Sequence, residues 1–245
     1  MLIRVRAATS GTLAIARREL QAYFNSPMAY LVAALFLGLT GYYFVTSISV
    51  PFAEASASSY LVQSARVLGL WVPLLTMRLL AEEEKLGTLE LLQTAPISDG
   101  ALVLGKFFAS VAIVTVTASA TIYYVILLFW FGSPDLGPIV AGYFGLILYG
   151  SAAVSAGLFA SSLTSNQLVA GGIGLTLMLF LTIADQAAEV VHGWPSDVLS
   201  KIAFNTHYTD FATGIIDTSR VVFFLTFSAV FLFLATMVVG SRRWR

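Results

Sequence analysis

Positions 136–184 read LGPIVAGYFGLILYGSAAVSAGLFASSLTSNQLVAGGIGLTLMLFLTIA, 49 residues without a charge. A helix needs about 20 apolar residues to cross a bilayer, so this run is too long for one crossing and suits two. The polar string Ser161-Ser162-Leu163-Thr164-Ser165-Asn166-Gln167 is the natural break. It separates a span over 139–160 from one over 168–184. In lipid every backbone polar group must be satisfied within the segment, which makes both spans helices. A β-barrel would show alternating segments of about ten residues instead.

Working outward, 25–53 is also free of charge. Ser26-Pro27 has the form of a helix start, with Ser as N-cap and Pro in the first turn, and Pro51 closes the span. A second span covers 58–80 and carries Arg66 and Arg78. A third runs from Ser98-Asp99 to Phe131, where Gly132-Ser133-Pro134-Asp135 forms a turn cluster, and a sixth covers 221–240. The expected fold is therefore all-α and polytopic, one transmembrane domain over 1–245 with six membrane helices. Composition agrees: 11% of the residues are charged, 58% are hydrophobic, and mean hydropathy is +0.86. Too little charge is present to coat a soluble domain. Disorder needs low hydrophobicity, and a net charge of zero gives no support to a nucleic-acid partner. With no cysteine, disulfides, thiolate catalysis and Cys-based zinc sites are excluded.

Six spans place both termini on one side. Arg4, Arg6, Arg17, Arg18, Arg78, Lys85, Lys106, Arg242, Arg243 and Arg245 then share that side, against Arg66, Lys201 and Arg220 on the other. The positive-inside rule makes the termini cytoplasmic in a multi-pass protein of the inner (plasma) membrane. Arg4 and Arg6 are followed by a polar stretch with no apolar core, so no cleavable signal peptide is read.

Three segments lie outside the spans. In 11–25, Leu13, Ala16, Leu20, Tyr23 and Phe24 recur at helical spacing, with Arg17, Arg18 and Gln21 opposite, as in a helix lying in the membrane interface. The segment 81–97 holds Glu82, Glu83, Glu84 and Glu90, with Leu89 and Leu92 on one face of a short helix that Pro96 ends. It is either a docking surface or a solvated loop. In 185–220, Phe204, Tyr208, Phe211 and Ile215 give an apolar helical face, and His192 and His207 read as isolated interfacial or surface histidines rather than metal ligands. Arg66 lies inside span two and either snorkels outward or faces a pathway. Small residues Ser151, Ala152, Ser155, Ala156 and Ala160 with Gly171 and Gly174 favour close helix contact, within one chain or between two. Gly100-Ala-Leu-Val-Leu-Gly105-Lys106 mimics a phosphate-binding loop, but Phe107 stands where the hydroxyl must be and a membrane helix follows directly. Lys106 reads as a snorkelling residue at the end of span three. No catalytic constellation is visible, so energy for any transport enters from a partner or an ion gradient.

The stretch 73–96, PLLTMRLLAEEEKLGTLELLQTAP, with its core Glu84-Lys85-x-Gly87-Thr88-x-Glu90, resembles the permease subunits of type-2 ABC exporters, in particular the gliding-motility branch. Arg18-Glu19-Leu20 with Tyr23-Phe24-Asn25-Ser26-Pro27, and the ending Arg242-Arg243-Trp244-Arg245, are similar to the same group. The resemblance implies an interfacial helix carrying Arg17, Arg18 and Glu19, a coupling helix between spans two and three, and short re-entrant helices between spans five and six. It implies that Glu83, Glu84, Gly87, Thr88, Leu89 and Glu90 engage a cytosolic ATPase. It also implies a second permease chain, identical or related, with ATP and magnesium held by the ATPase and no cofactor on this chain. The alternative is a membrane scaffold that passes ATPase motion to an extracellular or periplasmic partner through 185–220. An ion-driven carrier fits less well, because spans one, four, five and six lack charge and no internal repeat is evident.

Overall fold

The computed structural model describes residues 2–49, 56–88, 98–191 and 193–242. Leu89, Glu90, Leu92, Pro96, His192 and the ending Arg243-Trp244-Arg245 lie outside the described residues. The elements are α1 (Leu2–Phe24), α2 (Pro27–Ile48), α3 (Ser58–Thr76), α4 (Arg78–Lys85), α5 (Asp99–Ala120), α6 (Ile122–Phe131), α7 (Leu136–Ser162), α8 (Gln167–Val190), α9 (Trp194–Ile202), α10 (Phe204–Ala212) and α11 (Thr218–Arg242). Among the described residues there is no strand. Six stretches are long and apolar enough to cross a membrane: Pro27–Ile48, Ser58–Lys85, Asp99–Trp130, Leu136–Ser162, Gln167–Val190 and Thr218–Arg242.

The starts follow from capping chemistry. Asp135 accepts from Gly137 N–H and Asn166 from Leu168 and Val169 N–H, so the polar residues at each break cover donors that the first helical turn leaves free. Ser98 does the same for Ala101. Ser26 leads into Pro27 in an extended conformation without a side-chain cap bond, its Oγ accepting instead from Arg78, and the proline at N1 brings no N–H of its own to satisfy.

α7 is the central post. It packs against α3, α5, α8, α10 and α11, and Ala152, Ser155, Ala156 and Ala160 on it are fully buried. The small-residue spacing of span four thus serves contacts within this chain. α2 and α11 lie at the periphery, with large apolar side chains such as Leu35, Tyr42, Phe233 and Met237 exposed, as expected of lipid-facing helices.

Several details differ from the sequence reading. α8 continues past Ala184 to Val190, carrying Asp185 and Glu189 on the same helix. α1 begins at Leu2 rather than near position 11. The face of α1 turned to the bundle is Ile15, Ala16 and Tyr23, whereas Leu13 and Phe24 are exposed; the 3.6-residue period fits two neighbouring stripes, and packing on α5 selects one. In α10 Phe204, Tyr208 and Phe211 are buried as expected, but Ile215 lies beyond the helix and is exposed. Gly214 has φ of +93° and turns the chain away after Ala212.

Span two is broken. Pro73 lies inside α3, and the helix resumes as α4 after Met77. Ser161 of α7 inserts into the gap. Its Oγ accepts from Leu80 N–H and Ala81 N–H, both at 3.0 Å, and donates to the Met77 carbonyl at 2.9 Å. A neighbouring hydroxyl thereby satisfies the backbone groups that the break frees, the condition for a broken helix at membrane depth.

Candidate functional site

The end of the bundle that carries both termini is tied together by ion pairs. α1 and α5 pack side by side, and Gly105 sets their distance: a Cβ there would lie 2.8 Å from Ile15 and 2.9 Å from the Thr12 carbonyl. That close approach brings Glu19 of α1 to Lys106, the next residue on α5. Lys106 Nζ lies 2.8 Å from Glu19 Oε1 and 3.0 Å from Glu83 Oε2 of α4. Arg18 completes the group, 2.9 Å from Glu19 and in direct contact with Glu83 Oε1. Two cations and two carboxylates thus join α1, α4 and α5. The Lys106 side chain is only 1% exposed and both glutamates 13%, while Arg18 is half-exposed.

Lys106 therefore does not snorkel. A buried ammonium costs several kcal/mol, on the order of the Born penalty after relaxation, unless it is paired, and two carboxylates within 3.0 Å supply the pairing. Burial alone would raise the Glu19 carboxyl, but the charges and hydrogen bonds of Lys106 and Arg18 outweigh it and hold Glu19 below the ordinary carboxylate value. Arg18 loses some basicity to burial, but Glu19 and Glu83 more than restore it, leaving it above its ordinary value. The Gly-Lys pair that imitated a phosphate loop has a structural use: one residue admits α1 and the other binds it.

Glu84, the next residue on α4, pairs directly with Arg242 near the end of α11. Arg242 also donates to the Ser162 carbonyl at the end of α7, at 2.6 Å. After Lys85 the chain turns sharply. Gly87 has φ of +68°, a conformation in which other residues are strained. Leu86 N–H donates to Glu82 and Gly87 N–H to Glu84, and Thr88 Oγ1 donates back to the Glu83 carbonyl at 3.2 Å. Thr88 thus closes the C-terminus of α4. Arg17 is exposed.

Arg78, at the start of α4, stacks over the Tyr23 ring with its guanidinium carbon 4.8 Å from the centroid and donates to Ser26 Oγ at 2.8 Å. Tyr23 is buried, and its hydroxyl donates to the Leu75 carbonyl at 3.3 Å and meets Ser110 Oγ at 3.1 Å. The Lys106 and Ser161 roles escaped the sequence reading. A polar residue opposite a proline-broken span was the available signal for Ser161, and a charged residue about two turns inside an apolar span was the signal for Lys106.

The opposite end has one direct ion pair, Arg220 Nε with Asp210 Oδ2 at 2.8 Å between α11 and α10, and is otherwise tied differently. Arg66 is half-buried, and its Nε donates to Asn205 Oδ1 at 3.3 Å, with Gln63 3.5 Å from Nη1. Asn205 in turn donates to Asp185 Oδ2 at 2.6 Å. This relay joins α3, α10 and α8. Around it Tyr149, Phe204, Tyr208 and Phe224 pack edge to face, with ring centroids 5.2–5.9 Å apart where they meet Tyr149. His207 is not at the surface: it is 7% exposed and its ring lies 3.8 Å from that of Phe223. Burial and the nearby Arg220 charge push it down to about 4. Among the described residues no three His, Asp or Glu side chains converge as a metal site.

Comparison with known proteins agrees with this architecture. The family model described as ABC-2 family transporter protein matches residues 13–239. The chain belongs to that family. The match takes in most of α1 and of the six spans, so the Lys106 group and the Arg66 relay of this ABC-2 permease lie within it, while Arg242 lies just beyond. The chain is also similar to the probable multidrug ABC transporter permease YbhR of Escherichia coli strain K12, 32% identical over 103 residues. That match covers 42% of this chain and 27% of the relative's length. The protein of the same name in Escherichia coli O157:H7 matches to the same extent.

Proposed function

We propose that this permease is the membrane subunit of an ATP-driven exporter and that a separate cytosolic ATPase supplies the energy, holding ATP and magnesium itself. The termini-bearing end faces the cytoplasm, and a second permease chain, identical or related, completes the pathway. The observation that carries the reading is the anchoring of α4. Glu83 ties it to α1 and α5, Glu84 ties it to α11, and Gly87 then turns the chain toward Leu89 and Glu90. A segment that received force from an ATPase at this point would pass it to three helices at once. Glu90 and Leu89 supply the charged and apolar contacts, and the exposed Arg17 meets lipid headgroups.

The test is co-purification and ATP-dependent transport of the Glu84→Lys, Glu90→Lys double variant with its ATPase. Loss of both is the expected result, and Glu90→Lys alone, which leaves the Glu84–Arg242 pair intact, should weaken both while thermal stability stays near wild type. Retention of full coupled activity and ATPase binding would remove the coupling role from this segment. A mechanical scaffold is favoured by one feature, α9, which has no buried residue and exposes Trp194 and Val198. A structure of the assembled complex separates the readings: a continuous cavity between two permeases means transport, and a packed seam with an extracellular protein on α9 means transmission.

A further inference from the structure

A cavity of about 230 Å³ opens between α1, α2, the break in span two and the first residue of α8. Its apolar wall is Met28, Val32, Leu74 and Met77, and its polar wall holds Arg78 and Glu82. Those two charges are one helical turn apart on α4, yet they are not paired with each other. Arg78 meets only the Ser26 hydroxyl and the π-faces and hydroxyl side of Tyr23 among the described residues. Glu82 has neither an ion pair nor a side-chain hydrogen bond there, in contrast to Glu83 and Glu84 beside it. A guanidinium has five N–H donors, so most of those on Arg78 remain for a ligand.

We propose that this cavity binds the headgroup of an amine-bearing zwitterionic phospholipid, with the phosphate on Arg78 and the ammonium on Glu82. The charges have the right signs and lie on one face of α4, their Cβ atoms about 5–6 Å apart as for any i, i+4 pair, within side-chain reach of a phosphate and its ethanolamine nitrogen. A guanidinium fork matches phosphate oxygens, and a carboxylate accepts from a primary ammonium. A cavity of this volume suits a headgroup and excludes the whole lipid. The acyl chains leave along α2, where Met28, Leu31 and Leu35 form an exposed stripe at spacing 3 and 4 from the cavity outward. The cavity sits where span one begins at Pro27, the depth at which headgroups lie.

The experiment is native mass spectrometry and thermal-shift titration of the purified full chain with phosphatidylethanolamine, phosphatidylcholine and phosphatidylglycerol. Glycerophosphoethanolamine, the free headgroup, is run in parallel. The expected result is preferential retention of phosphatidylethanolamine, an affinity loss of about tenfold in Arg78→Gln from the charge-assisted bonds removed, and a switch of preference to phosphatidylglycerol in Glu82→Lys. Met28→Trp fills the apolar side at an exposed position and should release the lipid with both charges intact. Equal retention of the three lipids by wild type and variants would overturn the proposal. Binding of the free headgroup as tightly as the lipid would assign the cavity to a soluble phosphate ester. Neither readout uses an ATPase, so failure here leaves the transport reading untouched, and failure of coupling leaves this site untouched.

Discussion

The two ends of the bundle solve one problem with different chemistry. Each must hold helices that are far apart in sequence. At the termini-bearing end full charges do it: Lys106, Glu19, Glu83 and Arg18 in one group, Glu84 with Arg242 in another. At the opposite end one direct ion pair, Arg220 with Asp210, joins neighbouring α11 and α10, while Arg66, the cation that bridges distant helices, reaches a carboxylate only through the amide of Asn205, among packed aromatic rings. Ion pairs lose much when a partner moves, so they transmit displacement as a unit. Ring contacts are individually small and add up over many atom pairs. The first end is a block of paired charges, and the second is held mainly by a hydrogen-bond relay and ring packing.

Removing the centre of the block should have the largest effect. Lys106→Met leaves Glu19 and Glu83 facing each other, partly buried, with Arg18 as their remaining cation. Breaking a buried pair by removing one partner costs about 3–5 kcal/mol, to be read as a fall in the melting temperature of the purified protein. Adding Glu83→Gln to Lys106→Met should recover part of that loss, because it removes the orphaned charge. If the double variant is no more stable than the single, the four residues do not act as one group.

The matching change at the other end is smaller. Arg66→Met removes the hydrogen bond to Asn205 but leaves Asn205 bound to Asp185, for a loss of about 2 kcal/mol, as for one hydrogen bond to a charged group. A loss as large as that of Lys106→Met would erase the contrast between the ends.

Acid separates the ends by range. His207 is depressed from 6.5 to about 4, so the unfolded chain binds its proton first and stability falls as pH drops from 6.5 toward 4. The expected loss is about 1–2 kcal/mol by pH 5, and His207→Gln should flatten this limb. Glu19 is depressed from 4.5. Its contribution is complete above 4.5 and is lost only as pH falls further, through its value in the folded protein. Hydrogen exchange at pH 5 should therefore rise first in α10, while α1 stays protected. Simultaneous loosening of both helices would show that the ends are coupled more tightly than their contacts indicate.

The spans were legible because lipid imposes one rule on every residue of a crossing, and 49 uncharged positions with a polar centre admit few solutions. The ends were less so. Glu83 and Glu84 stand adjacent in a run of three glutamates, and nothing in the run distinguishes the residue that pairs with Lys106 from the one that pairs with Arg242 or from Glu82, which pairs with neither. That choice depends on the rotation of α4 after the break at Met77, and the break depends on Ser161, more than 80 positions away. Lys106 was misread for the same reason: a lysine near a span end does snorkel unless a carboxylate from another helix is brought to it, and only the packing of Gly105 on Ile15 does that.

The smallest effect expected tests whether the lipid-facing cavity belongs to the block. Tyr23→Phe removes the hydroxyl that bonds the Leu75 carbonyl and Ser110 but keeps the ring under Arg78. The loss should be about 1 kcal/mol, the low end for the two long hydrogen bonds removed, visible as a small shift in melting temperature. Since Arg78 keeps its stacking partner, phosphatidylethanolamine retention should not change. Loss of retention in Tyr23→Phe, with Arg78 untouched, would mean that the hydroxyl ties α1 to the break in span two firmly enough to shape the cavity, and that the cavity moves with the ion-paired end.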